Sequence, residues 1–141
     1  MKKVVLGAFA TVALVAASSA SASSVGIRVQ NSTTAVASPT YLNTCAAPSP
    51  ALTPVSPSAT SGTSTVSCGQ NSAVAFDYTS GAKVCRFNLS SLYTPGNPIL
   101  GTQGYWTPRG TGTSRAGSAR CTVTLTNLDN FGNYAWTVRI Q

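Results

Sequence analysis

Histidine and glutamate are both missing from this chain, and its only acids are Asp77 and Asp129. Histidine is the commonest general base and metal ligand near neutral pH. Without it, Ser-His-Asp and Cys-His nucleophile arrangements are impossible. A glycosidase built on paired carboxylates would have to use Asp77 with Asp129, and Asp77, between Phe76 and Tyr78, is expected to point to solvent. No G-x-S-x-G motif occurs, and past the first three residues Lys83 is the only lysine that could serve as a base. A calcium site gathers several acidic oxygens, which two separated aspartates do not supply. The expectation is a protein that is not an enzyme and carries no cofactor or metal.

Charge is scarce as well. Charged residues make up 8% of the sequence, against about 25% in an ordinary soluble protein. Beyond the first three residues, Arg28, Lys83, Arg86, Arg109, Arg115, Arg120 and Arg139 face two aspartates. That excess attracts anionic surfaces. It is too dispersed for a nucleic-acid footprint, which clusters many cations on one face.

What is present begins with a leader. Met1-Lys2-Lys3 is basic, Val4–Ala17 is apolar, and Ala20-Ser21-Ala22 is a small-residue A-x-A site. This is the plan of a secretory signal peptide, with a bacterial look and cleavage expected after Ala22. The apolar run falls short of the roughly 20 residues a membrane span needs, and no other run is as long. Gly7-Ala8-Phe9 lacks the glutamate of a type IV prepilin leader. Residues 23–141 are then one secreted or periplasmic domain with no transmembrane segment. The sequons at Asn31 and Asn88 are not expected to carry sugar in a bacterial setting.

Export lets the four cysteines oxidise. Three pairings are open, and Cys85–Cys121 with Cys45–Cys68 is favoured. Cys85 shares an inward face with Phe87 and Leu89, and Cys121 shares one with Val123 and Leu125. Cys45 and Cys68 bracket a segment, Ala46–Ser61, whose four prolines exclude it from a central strand. That segment is expected to be a surface loop.

The rest of the chain alternates with period two. Strands are expected at Ser23–Gln30, at Val74–Tyr78 and Lys83–Leu89 as a hairpin around Gly81, at Ile99–Trp106, at Arg120–Asn127 and at Tyr134–Gln141. The last two should pair antiparallel. Thr107–Ala119, rich in Gly, Ser and Thr, reads as a mobile loop carrying Arg109 and Arg115. Short strands and Gly/Pro-rich turns imply an all-β fold, a single small antiparallel β-sandwich, Ig-like or jelly-roll-like.

The candidate binding residues are Tyr105, Trp106, Arg109 and Arg115. Exposed aromatics stack on sugar rings or sit at a lipid interface, and arginine holds phosphate, sulfate or carboxylate. The leading expectation is a secreted binding protein for an anionic glycan, lipopolysaccharide or lipid surface. A competing reading has Trp106 plugging the core. In size, low charge and Ala/Gly/Ser/Thr richness the chain is also similar to exported fimbrial subunits, which assemble by lending a strand to a neighbour. It departs from them at Ile140-Gln141, where an aromatic next to last is missing. Chain length and all-β character are loosely similar to small lipid-binding, pore-forming sandwiches of the aegerolysin sort. A protease inhibitor presenting Arg109 or Arg115 is a fourth reading, opposed by the flexibility of Gly110, Gly112 and Gly117.

Overall fold

A computed structural model describes residues 23–141. The expected leader and its cleavage site lie outside the described residues.

The described residues form eight strands: β1 (Ser24–Asn31), β2 (Ala37–Thr44), β3 (Ser64–Ser67), β4 (Ser72–Ser80), β5 (Lys83–Thr94), β6 (Tyr105–Ala116), β7 (Cys121–Leu128) and β8 (Asn133–Ile140). They form two four-stranded sheets, ordered β3-β1-β8-β7 and β2-β4-β5-β6. Every pairing is antiparallel except β1 with β8, which run parallel from Ser24↔Asn133 to Asn31↔Ile140. The chain is therefore all-β, and the antiparallel pairing of β7 with β8 is as expected.

Alternation decides what goes inside. Val25, Ile27 and Val29 of β1 and Tyr134, Trp136, Val138 and Ile140 of β8 are buried. From the other sheet come Val74, Phe76 and Tyr78 of β4 with Cys85, Phe87 and Leu89 of β5. All belong to one hydrophobic cluster, so the two sheets share a single core. Burying a Val, Leu, Ile or Phe side chain contributes about 1.5–3 kcal/mol, and this cluster is the main term opposing chain entropy. The Tyr78 hydroxyl donates to the Thr53 carbonyl at 2.8 Å, and burial pushes its pKa from 10.0 up to about 12.

Both disulfides form as expected, Cys45–Cys68 and Cys85–Cys121. Each ties one sheet to the other. Cys85 on β5 reaches Cys121 on β7, while Cys45 follows β2 and Cys68 follows β3. Each is worth about 2–4 kcal/mol, mainly by restricting the unfolded chain. An oxidising compartment, extracellular or periplasmic, is the setting in which such bonds persist.

Three expectations are corrected. Thr107–Ala119 is not a mobile loop, because residues through Ala116 belong to the twelve-residue strand β6, paired with β5 along its length. Ile99–Trp106 is not a strand. Pro98–Leu100 forms a 3-10 turn, and β6 starts only at Tyr105. Asp77 does not stand free in solvent. It is 8% exposed beneath the Arg86 guanidinium, which donates Nε to Oδ1 at 2.6 Å and Nη2 to Oδ2 at 2.8 Å.

The proline-rich segment stays out of both sheets but is not simply a surface loop. Val55 is buried, and its N–H and carbonyl exchange hydrogen bonds with Ala37. Asn31 donates from Nδ2 to the Val55 and Ala35 carbonyls. Farther along, the Asn31 N–H bonds to the Ala59 carbonyl and the Ser61 N–H to that of Val29. The segment thus covers the half of the β1 edge that four-residue β3 leaves open, which blunts it against unwanted pairing.

Candidate functional site

A strand sends alternate side chains to opposite faces. Because Cys85, Phe87 and Leu89 point inward, Arg86, Asn88 and Ser90 point out. The same rule turns Ala73, Ala75 and Asp77 of β4 outward, together with Arg109, Thr111 and Thr113 of β6.

The pairings stack these residues into rungs across the outer face of β2-β4-β5-β6. One rung is Asn43, Ala75, Asn88 and Thr111, and its neighbour is Ala73, Ser90 and Arg109. Alanine and serine at the centre, flanked by longer side chains, leave a groove of about 460 Å³. Thr44 and Cys45 close its β2 side. The Cys45–Cys68 bond fixes that wall to the second sheet.

A third rung bounds the groove: Tyr41, Asp77, Arg86 and Thr113. Arg86 is held by both Asp77 oxygens and lies 4.4 Å from the Tyr41 ring centroid. Its charge is thereby satisfied within the face. Arg109 has no hydrogen-bond or ion-pair partner among the described residues, and neither does the Asn43 amide. Asn88 donates weakly to the Thr111 hydroxyl at 3.4 Å. The groove thus combines a small apolar floor, amides and hydroxyls that can both donate and accept, and one free guanidinium.

The four residues singled out in the sequence all lie on β6, yet the structure separates them. Arg109 lines the groove. Tyr105, 59% exposed, lines a second cleft of about 540 Å³ with Trp106, Pro108, Leu128, Asp129 and Asn130. Trp106 is not an exposed platform. It faces inward, half-buried, packed against Tyr93 at 4.6 Å between ring centroids with the ring planes tilted by 48°, and Nε1 donates to the Gln70 carbonyl at 3.1 Å. Arg115 is exposed where the β5–β6 register shifts. Six strand residues from Arg109, it stands about 20 Å away and belongs to neither cavity. Arg120 is with it at that end, so Arg109, Arg115 and Arg120 are not one cluster.

Asp129 in the second cleft is committed to its own turn. It accepts from the backbone N–H groups of Phe131 and Asn133 and from the Asn133 amide, each at 2.8 Å. Burial works against its charge, but these hydrogen bonds outweigh it and hold the carboxyl below its ordinary pKa. Together with desolvation, this carboxylate raises the pKa of Tyr134.

Sequence reasoning missed Asn43, Ala73, Ala75, Asn88, Ser90 and Thr111. The outward alternation of β4 and β5 was the available signal for four of them. Asn43 was out of reach because β2 went unrecognised. No protein-family model and no curated protein matches this chain.

Proposed function

We propose that the protein is an exported β-sandwich of the Ig-like or jelly-roll-like kind, and that it recognises an acidic glycan in the groove on its β2-β4-β5-β6 face. The supporting observation is the side-chain set just described. A sugar ring offers a C–H face that Ala73 and Ala75 can pack against, and hydroxyls that Asn43, Asn88, Ser90 and Thr111 can donate to and accept from. Arg109 is the free cation for a carboxylate, sulfate or phosphate substituent. Lipopolysaccharide is a bacterial surface glycan of this chemistry. A sequence without histidine or glutamate suits binding rather than turnover, and the basic leader and two disulfides suit export.

The test is an array of acidic and neutral oligosaccharides, with hits quantified by calorimetry. Arg109→Ala should weaken acidic ligands about tenfold or more, the worth of one charge-assisted hydrogen bond, and erase the preference for acid over neutral sugar. Asn88→Ala should weaken both classes, and Arg115→Ala neither. Equal binding by the parent, Arg109→Ala and Asn88→Ala proteins would remove the groove from consideration.

A further inference from the structure

The end of the molecule where β5 passes to β6 and β7 to β8 carries large apolar side chains that none of the described residues covers. Ile99 is 93% exposed and Leu100 73%, at the tip of the β5–β6 connection. Tyr105 at the start of β6, Leu128 at the end of β7 and Phe131 in the β7–β8 turn are each about 60% exposed. The two connections belong to one end. Ser91 Oγ near the end of β5 donates to the Gly132 carbonyl at 2.8 Å, and the Trp106 ring packs against Gly132. Tyr105 and Leu128 line the same cleft.

Two further observations define what this end is suited to meet. First, it is nearly free of charge. No residue from Leu89 to Pro108 is ionisable as Asp, Glu, Lys or Arg. The one carboxylate of the β7–β8 turn, Asp129, is turned back onto Phe131, Asn133 and the Asn133 amide. Second, the protruding turn pairs its own backbone N–H groups, while the carbonyls of Ile99, Leu100 and Gly101 have no donor among the described residues. Asn97 Oδ1 accepts from the N–H groups of Ile99 and Leu100. The Asn97 carbonyl accepts from Leu100 and Thr102, and the Pro98 carbonyl accepts from Gly101. The Asn97 N–H donates to Thr102 Oγ1 at 2.8 Å, and Pro98 has no N–H to satisfy. An unpaired N–H costs several kcal/mol in hydrocarbon, and this turn presents none from Asn97 to Thr102.

We infer that this end is a lipid-contact tip: Ile99, Leu100 and Phe131 enter the interfacial zone of a bilayer, and Tyr105 sits at headgroup level. A protein partner needs a complementary surface for apolar groups that stand on separate projections, whereas a fluid bilayer adapts to them. Aromatic side chains with a polar end favour that zone. The tip is distinct from the groove and goes beyond the glycan reading. A protein that recognises a surface glycan through one face could rest on the adjoining membrane through this end.

The experiment uses residues 23–141, which contain the described core and both disulfides, so that the apolar leader cannot contribute. Sedimentation with phosphatidylcholine vesicles, alone or with phosphatidylglycerol, gives the partition coefficient. Fluorescence of Trp106, beside the tip, read in a Trp136→Phe background so that the core tryptophan does not contribute, reports entry. The parent should bind both vesicle types, with a blue shift. Ile99→Ser/Leu100→Ser should lower partitioning roughly tenfold or more, and Phe131→Ser should add to that loss. Both should keep native circular dichroism and glycan binding. Arg109→Ala should keep vesicle binding, so either proposal can fail without the other. Absence of partitioning at millimolar lipid would overturn the inference. Partitioning unchanged in Ile99→Ser/Leu100→Ser would overturn it too, as would concentration-dependent dimerisation abolished by that variant, which would make the tip a self-association surface.

Discussion

Strands β6 and β8 are both well paired, yet they owe their places to different things. β8 carries its own reason, since Tyr134, Trp136, Val138 and Ile140 alternate inward and each fills the core. β6 puts Trp106, Pro108, Gly110 and Gly112 toward the interior, and the inward-facing positions at its middle, Gly110 and Gly112, carry no side chains. The room there is taken by neighbours. A Cβ added at Gly110 would sit 2.6 Å from the Trp136 ring and 2.8 Å from Val123. One added at Gly112 would sit 2.8 Å from the Cys121 carbonyl oxygen. The glycines of β6 are the complement of the bulk on β8 and β7. A strand can thus be specified by residues that are not its own.

The most disruptive way to break this complement is at the bond that holds β5 and β7 together beside Gly112. Replacing both Cys85 and Cys121 with alanine should cost about 4 kcal/mol, measured by denaturant titration against the parent. Gly112→Val comes next, at about 3 kcal/mol, because the methyls meet backbone that cannot rotate away. Thr111→Val, one residue along but facing outward, should change stability by less than about 0.5 kcal/mol. A Gly112→Val protein as stable as Thr111→Val would show that β6 has more room than its neighbours allow.

Tyr78 sharpens the comparison from the core side. Its folded pKa, raised by burial to about 12, exceeds the unfolded value of 10.0. The stabilisation is therefore complete below about pH 10 and is lost as pH rises toward 12, because the unfolded chain releases the phenolic proton first. Tyr78→Phe should flatten that alkaline loss while costing about 1 kcal/mol at neutral pH for the bond to Thr53. Alkaline melts of the two proteins provide the measurement. Trp136, whose ring lies over Gly110, gives the last test from the core side. Its buried Nε1–H has no acceptor among the described residues, so the ring rather than the donor matters over Gly110. Trp136→Phe removes an unpaired group along with some packing, and should cost no more than about 1 kcal/mol.

How much of this was legible in the sequence follows the same division. β1, β4, β5, β7 and β8 announce themselves by large apolar residues at every second position, and the cysteine pairing follows from two of them. β6 is silent because glycine has no side chain to show a period, so its Gly/Ser/Thr content reads as loop. β2 is masked by Pro39 and by the irregular pairing at Thr40, features tolerated because it is an edge strand. β3 is four residues long, too short to establish alternation. The candidate site suffered from these gaps. Arg109 was noticed for its charge, but the rung that gives it company runs through β2 and the small residues of β4. Tyr105 and Trp106 look like one motif in sequence and face opposite ways in space, as neighbours on a strand must.

The parallel pairing of β1 with β8 has a consequence for how the molecule comes into being. Ser24 Oγ donates to Asn133 Oδ1 across 109 positions of sequence. As the polypeptide is made, β1 emerges long before β8, the strand that fills this edge in the fold. Contacts this far apart in sequence form slowly, so the nascent chain stays open and threadable until its final strand is delivered. That delay suits the export we propose, in which the chain would cross a membrane unfolded and close only on the far side.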